Sequence, residues 1–219
     1  MNLVRGLERR LERLLEGVAG RVFGGRLHPT EIAGRLAREA DFARFDHETG
    51  PATANRYTLL VNPKDMDADP AEMEQTLTLE VERYTAEQGL RLEGPCRVRI
   101  ETSEQVPQGT ISCDAEIAPG PLPAWGKLVA KDTTLEVGHN RALVGRGEEA
   151  DVRIPLQSVS RRHALIWREG GRAWVADLGS ANGTTLDGIP VGEDPVPLEH
   201  GSRLVVADAT FRWVEERDA

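Results

Sequence analysis

The chain has 219 residues, of which 39% are hydrophobic and 29% charged, and its formal net charge is −9. That length allows one large domain or two small ones, at about 100–200 residues each. The net charge is −6 before Ala118, from 15 basic and 21 acidic residues, and −3 from there on, from 12 and 15. Neither part has the surplus of Lys and Arg that general nucleic-acid binding requires, so any anion site must be local.

The first segment, "MNLVRGLERRLERLLEG", carries charges every few positions and lacks the continuous apolar core of a secretory signal. No apolar run reaches the roughly 20 residues that span a bilayer, so the expected location is the cytoplasm. Leu3, Leu7, Leu11, Leu14, Val18 and Val22 recur at three- and four-residue spacing and predict an amphipathic helix. Its apolar face either packs on protein or lies on a membrane surface. Glu8, Glu12 and Glu16 stand among Arg5, Arg9, Arg10 and Arg13 at pairing distances along the helix, which favours packing on protein. A second helix is predicted to open at Pro29, with Glu31 in its first turn and Ile32, Leu36 and Phe42 on its apolar face.

"RYTLLVNP" predicts a strand stopped by Asn62-Pro63, and Met73, Leu77, Val81 and Tyr84 mark a helix from Pro70 to Gln88. "CRVRIET" alternates with period two and predicts a strand, and "TISCDAEIA" suggests another, completing a small α+β domain. Cys96 and Cys113 stand alone, without a CxxC spacing, and are expected as buried free thiols. "DMDADP" from Asp65 imitates a calcium loop, but Pro70 holds the glycine position and Thr76 the closing glutamate position.

At "APGPLPAWG", Ala118 to Gly126, three alternating prolines predict a semi-rigid extended linker spanning about 25–30 Å. Beyond it the chain reads as all β. Strands are predicted at 127–130, 134–137, 142–144, 152–154, 164–168, 173–177, 184–186, 203–206 and 210–214. Gly170-Gly171 and Asp187-Gly188 are hairpin turn signals. This density of short strands points to a β-sandwich, whose end loops are the usual place for binding residues. "GRGEEA" matches a dinucleotide-loop pattern, but no helix follows it. His28, His47, His139 and His200 have no ligand spacing, no catalytic constellation emerges, and no cofactor or metal is expected.

Four short clusters fall at predicted strand ends: "GRG" at 145–147, "SRRH" at 160–163, "DLGSANGT" at 177–184 and "DG" at 187–188. Arg146, Ser160, Arg161 and Asn182 supply two guanidinium forks, a hydroxyl and an amide. That set suits a phosphate together with a peptide backbone. Ser160 follows Arg146 by fourteen residues and Asn182 follows His163 by nineteen.

This order and spacing resembles the forkhead-associated (FHA) domain over roughly residues 127–216. The resemblance implies a sandwich that recognises phosphothreonine in partner proteins. It also implies Arg146, Ser160 and Arg161 as phosphate contacts and Asn182 as the holder of the peptide main chain, with Gly145, His163 and Gly183 shaping the loops. Many members carry a hydroxyl residue just before the Asn, where this chain has Ala181. Either that contact is missing, or Ser180 or a backbone N–H substitutes.

In the first half, "FGGRLHPTEIAGRLAREAD", "NRYTLLVNPKD" and "GLRLEGPCRVRI" resemble the N-terminal domain of bacterial FhaA-type proteins over about residues 1–105. That domain is a small α/β unit with some likeness to KH folds and no established catalysis. "GGRLHP" does not supply the GxxG loop of a KH-type RNA site. The expected organisation is an N-terminal domain over 1–117, a linker over 118–126 and a phosphothreonine-binding sandwich over 127–219. The resemblance implies an adaptor beside Ser/Thr kinases and the cell-wall and division machinery. Its partners would be phosphothreonine-containing proteins, and it would meet the inner face of the membrane only through them. The rival expectation is a scaffold whose sandwich binds partners without phosphate.

Overall fold

The computed structural model describes residues 4–15 and 17–216, with the side chains of residues 4–7 outside the description. Leu3, Glu16 and the Arg5 and Leu7 side chains of the predicted first helix therefore lie outside the described residues. The chain divides into two units: the first is Met1–Asp46, Ala52–Thr85 and Leu92–Gly120, and the second is His47–Pro51, Ala86–Arg91 and Pro121–Ala219.

The helices are α1 (Val4–Leu15), α2 (Ala19–Phe23), α3 (Pro29–Phe42) and α4 (Ala71–Glu87). The single helix predicted across Leu3–Val22 is broken at Gly17-Val18, where a turn separates α1 from α2. Glycine interrupts a helix cheaply, because its backbone entropy disfavours the helical state. Leu11 and Leu15 are fully buried and α1 packs on α3, so protein covers this part of the apolar face, while Leu14, expected on the same face, is exposed. In α3, Ile32, Leu36 and Ala40 are buried but Phe42 is 87% exposed, against the expected stripe. Six residues beyond Leu36 lies about 120° around a helix of 3.6 residues per turn, off the buried face.

β1 (Phe45–His47) and β2 (Gly50–Ala52) fall where the chain passes from one unit to the other, and the first unit holds β3 (Arg56–Val61), β4 (Arg97–Thr102) and β5 (Ile111–Glu116). β3 is central, parallel to β4 and antiparallel to β5. α4 connects the parallel pair and buries Met73, Leu77, Val81 and Tyr84. Cys96 and Cys113 are buried free thiols, and burial pushes the Cys113 thiol up to about 12.

Asn55, fully buried, donates to Pro95 O (3.1 Å) and Ala118 O (2.9 Å) and accepts from Ala118 N (2.9 Å). Gly120 N donates to Glu93 O, and a Cβ on Gly94 would lie 2.3 Å from Ala118 O. The first residues of the proline-rich stretch are therefore bound to the first unit.

The second unit holds β6 (Gly126–Val129), β7 (Thr134–Val137), β8 (Ala142–Gly145), β9 (Val152–Arg153), β10 (Ala164–Glu169) and β11 (Arg172–Asp177). It continues through β12 (Thr184–Leu186), β13 (Ile189–Val191), β14 (Val196–Pro197), β15 (Arg203–Val206) and β16 (Ala209–Glu215). They form a five-stranded sheet ordered β14-β11-β10-β8-β9 and a six-stranded sheet ordered β13-β12-β15-β16-β6-β7. The inward faces share one core that includes Leu128, Val144, Ile166, Val175, Leu204 and Phe211. Trp125 and Trp213 meet edge to face at 5.3 Å, worth about 0.5–1.5 kcal/mol beyond burial. The predicted turns have the required backbone: Gly170 and Gly171, and Asp187 and Gly188, all take positive φ. β13 and β14 are additional to the predicted strands. Each is an edge strand containing a proline, which a ladder tolerates only at its margin.

Candidate functional site

Three connections of the second unit come together: Arg146–Asp151 after β8, Ile154–His163 before β10, and Leu178–Gly183 after β11. Arg146 N donates to Ser160 O (3.0 Å) and Gly147 N to Arg161 O (3.1 Å), joining the first two. A Cβ on Gly145 would lie 2.0 Å from Arg161 O, so only glycine permits this approach.

His163 joins the second and third. It is fully buried, its Nδ1 accepts from Ser160 N (3.1 Å), and its Nε2 lies 3.1 Å from Gly183 O. A backbone N–H can only donate and a carbonyl only accept, so the proton sits on Nε2. The imidazole is a bridge between loops, with both nitrogens occupied. Gly183 takes φ +75, a conformation glycine adopts without strain.

The third loop wraps around Asp177. Its Oδ1 accepts from Ser180 N (2.7 Å), and its Oδ2 accepts from the hydroxyls of Ser180 (2.7 Å) and Thr184 (2.6 Å). Burial opposes ionisation of Asp177, yet the Thr184 and Ser180 hydrogen bonds hold its carboxyl below the usual carboxylate range.

Within this frame the predicted site residues stand together. Ser160 Oγ accepts from Ala181 N (3.1 Å), which leaves its own hydroxyl hydrogen free to donate. Asn182 Nδ2 donates to Ser158 O (2.7 Å), leaving one amide hydrogen and Oδ1 for a ligand. Arg146 and Arg161 are exposed, and among the described residues neither guanidinium has a hydrogen bond or ion pair. Arg162, by contrast, is tied to Glu48 at 2.6 Å.

Residues 4–114 match the family model described as FhaA, N-terminal domain, which covers half of the chain. Residues 142–207 match the FHA domain model. The chain belongs to the FhaA N-terminal domain family, with an FHA domain C-terminal to it. It is 38% identical over 78 residues to the FHA domain-containing protein FhaA of Mycobacterium tuberculosis, covering 33% of this chain and 15% of that protein. It is 39% identical over 70 residues to the glycogen accumulation regulator GarA of Mycolicibacterium smegmatis, covering 32% of this chain and 42% of that one. The matches therefore span less than half the length of these relatives. A solved structure from an analysis of phosphothreonine-dependent FHA domain interactions is 30% identical. It covers 42% of this chain and 97% of that one, with a TM-score of 0.39.

Of the substitutes for the missing hydroxyl at Ala181, the Ser180 hydroxyl and the backbone N–H of residue 181 itself are already committed. The Ser180 hydroxyl donates to Asp177 and accepts from Gly183 N (2.9 Å), and Ala181 N is spent on Ser160 Oγ. Asp177 escaped the sequence reading as a loop-building residue. Its available signal was an Asp with Ser three positions on, the pattern of a side chain bonding the turn it starts.

Among the described residues no helix is long and apolar enough to cross a membrane. The carboxylates of "DMDADP" face different partners. Asp65 accepts from Gly109 N, Asp67 pairs with Arg26, and Asp69 accepts from Ala71 N at the start of α4.

Proposed function

We propose that this chain is a non-enzymatic adaptor that binds phosphothreonine in proteins modified by a bacterial-type Ser/Thr kinase. The observation that carries the proposal is the pair of guanidiniums of Arg146 and Arg161, without hydrogen bond or ion pair among the described residues, beside a Ser160 hydroxyl whose hydrogen is free. A phosphothreonine brings about −1.5 to −2 charges and three acceptor oxygens to such a set. Arg146, Ser160 and Arg161 contact the phosphate, Asn182 holds the peptide main chain, and Gly145, His163 and Gly183 shape the loops. The FHA family match over 142–207 supports this assignment.

The working division is 1–117 for the N-terminal domain, 118–126 for the linker and 127–219 for the phosphothreonine-binding domain. The N-terminal domain supplies a second protein contact. The partners are phosphothreonine-bearing kinases or their substrates, in cell-wall synthesis or division, and the adaptor meets the membrane's inner face from the cytoplasm through them. A net charge of −9 disfavours nucleic acid as a partner.

Fluorescence titration with matched phosphothreonine and unmodified peptides tests the reading, and equal affinities overturn it. One observation favours a phosphate-independent scaffold instead: Ala181 lacks a hydroxyl, and the Ser180 hydroxyl and Ala181 N are committed. Capture from cells by the parent and by Arg146→Ala separates the two, since the scaffold keeps its partner set in the variant.

A further inference from the structure

The second unit includes two short segments far upstream of the FHA match, His47–Pro51 and Ala86–Arg91. Each reaches a connection that carries the phosphate-binding side chains.

Arg91 grips Asp151 as a two-pronged fork, with Nη1–Oδ2 at 2.8 Å and Nη2–Oδ1 at 2.9 Å. The two side chains are only 6% and 11% exposed. Arg91 Nη1 also donates to Arg141 O at 3.2 Å. Asp151 in turn accepts from Leu143 N on β8 at 2.8 Å, and His139 Nδ1 lies 3.3 Å from its other oxygen. Asp151 is the last residue of the connection that begins at Arg146. The start of that connection is fixed by Ser160 O and Arg161 O, and its end is fixed by a carboxylate whose charge Arg91 balances. Burial opposes ionisation of Asp151, but Arg91 and the Leu143 N–H hold its carboxyl below the usual range. Without Arg91 the carboxylate would be buried and unbalanced, and the loop end would move to reach water.

The other segment acts more weakly. Glu48 takes Arg162 Nη1 on its carboxylate (2.6 Å) and Arg162 Nη2 on its carbonyl (3.2 Å), next to Ser160 and Arg161. This pair is 38% and 52% exposed, where ion pairs contribute little.

We propose that Arg91 is a positioning residue of the phosphate site, setting the Arg146–Asp151 connection, and with it Arg146, through Asp151. The proposal rests on the phosphate-binding reading of Arg146. It makes residue 91, which lies within the N-terminal family match, part of phosphopeptide recognition.

The test uses the full chain as parent, Arg91→Lys, Arg91→Ala, Asp151→Asn and the Arg91→Ala/Asp151→Asn double variant. Two readouts are taken: the amide resonances of Arg146 and Gly147 without ligand, and affinity for a peptide pool with phosphothreonine fixed at its centre, against its unmodified counterpart. Arg91→Lys keeps the charge but loses the fork. It is expected to shift both amide resonances and to weaken phosphopeptide binding about three- to tenfold. The double variant is expected to lose no more affinity than the worse single one, because both act through one contact. A folded Arg91→Lys protein with parental resonances and parental affinity overturns the proposal, as does full additivity in the double variant. If Arg91→Ala does not fold, Arg91→Lys carries the test alone. If the parent itself prefers neither peptide pool, the phosphate reading fails, while the ligand-free resonances still decide whether Arg91 sets the loop.

Discussion

Polar side chains are used differently in the first unit and at the loop end of the second. In the first unit several buried or half-buried ones are spent on their own backbone. Asn55 ties three backbone groups of Pro95 and Ala118, Asp65 accepts from Gly109 N, and Asn62 donates to Val106 O while accepting from Lys64 N. At the loop end His163 and Asp177 are spent in the same way, but the residues they hold in place are not. Among the described residues Arg146 and Arg161 face solvent without polar partners, and Ser160 and Asn182 each keep a donor unspent. The contrast separates polar groups that build a loop from polar groups that a loop presents.

Removing a builder is the most severe way to break that contrast. His163→Ala deletes two buried hydrogen bonds and leaves a cavity, and is expected to cost about 3 kcal/mol or more. Phosphopeptide binding should fall with it, as urea denaturation and titration would show together. Asn55→Ala in the first unit should cost about 2–3 kcal/mol by stranding buried backbone groups. Here phosphopeptide affinity should stay at the parental level, measured at a temperature where both proteins are folded. A parallel loss of affinity would mean that Asn55 is not merely a builder of its own unit.

Removing a presenter should do the reverse. Arg146→Ala is expected to weaken phosphopeptide binding at least tenfold, since a hydrogen bond to a charged group is worth about 1.5–3 kcal/mol and 1.4 kcal/mol is tenfold. Its melting temperature should be close to the parent's, because the side chain is exposed and has no hydrogen bond or ion pair to lose among the described residues. A large drop in melting temperature would assign Arg146 to the builders instead.

Acid should attack the builders and spare the presenters. Asp151 and Asp177 both have carboxyls held below their ordinary value in the folded state. Their contribution is therefore fully present above the unfolded-state value of about 3.9, and it is lost as pH falls through the folded-state values below it. Urea midpoints measured from neutral pH to about pH 2 should fall in that acid window. Asp177→Asn should flatten the fall, and an unchanged acid limb would remove Asp177 from the account.

Much of this was legible in the sequence where local pattern decides structure. α3, α4 and the interior strands follow apolar periodicity, and the hairpin turns follow glycine placement. The exceptions have physical causes. β13 and β14 are short edge strands whose prolines argue against a ladder, α1 and α2 are split at a glycine, and Phe42 sits off the buried face. In the site, residue type and spacing pointed to Arg146, Ser160, Arg161 and Asn182. The supporting residues Asp177, Asp151 and Arg91 did not stand out, because their roles depend on partners brought together by folding. Arg91 and Asp151 are 60 positions apart. The bonds that consume Ser180 and Ala181 N were equally invisible, so their availability as substitutes could be judged only from the fold.

That last point gives the smallest expected effect. At position 181 the chain presents a methyl group, and the Ser180 hydroxyl and Ala181 N are occupied by Asp177 and Ser160. Ala181→Ser adds a hydroxyl at an exposed site without disturbing either bond. One added hydrogen bond to a phosphate oxygen should tighten phosphopeptide binding by roughly three- to tenfold, offset in part by the entropy of fixing the side chain. The melting temperature should not change. In an Arg146→Ala background the gain should shrink, because the phosphate is then less firmly placed against the loop. A gain of equal size in both backgrounds would mean that residue 181 acts on the peptide apart from its phosphate. No gain in either would mean that the phosphate oxygens are already satisfied by Arg146, Ser160 and Arg161 alone.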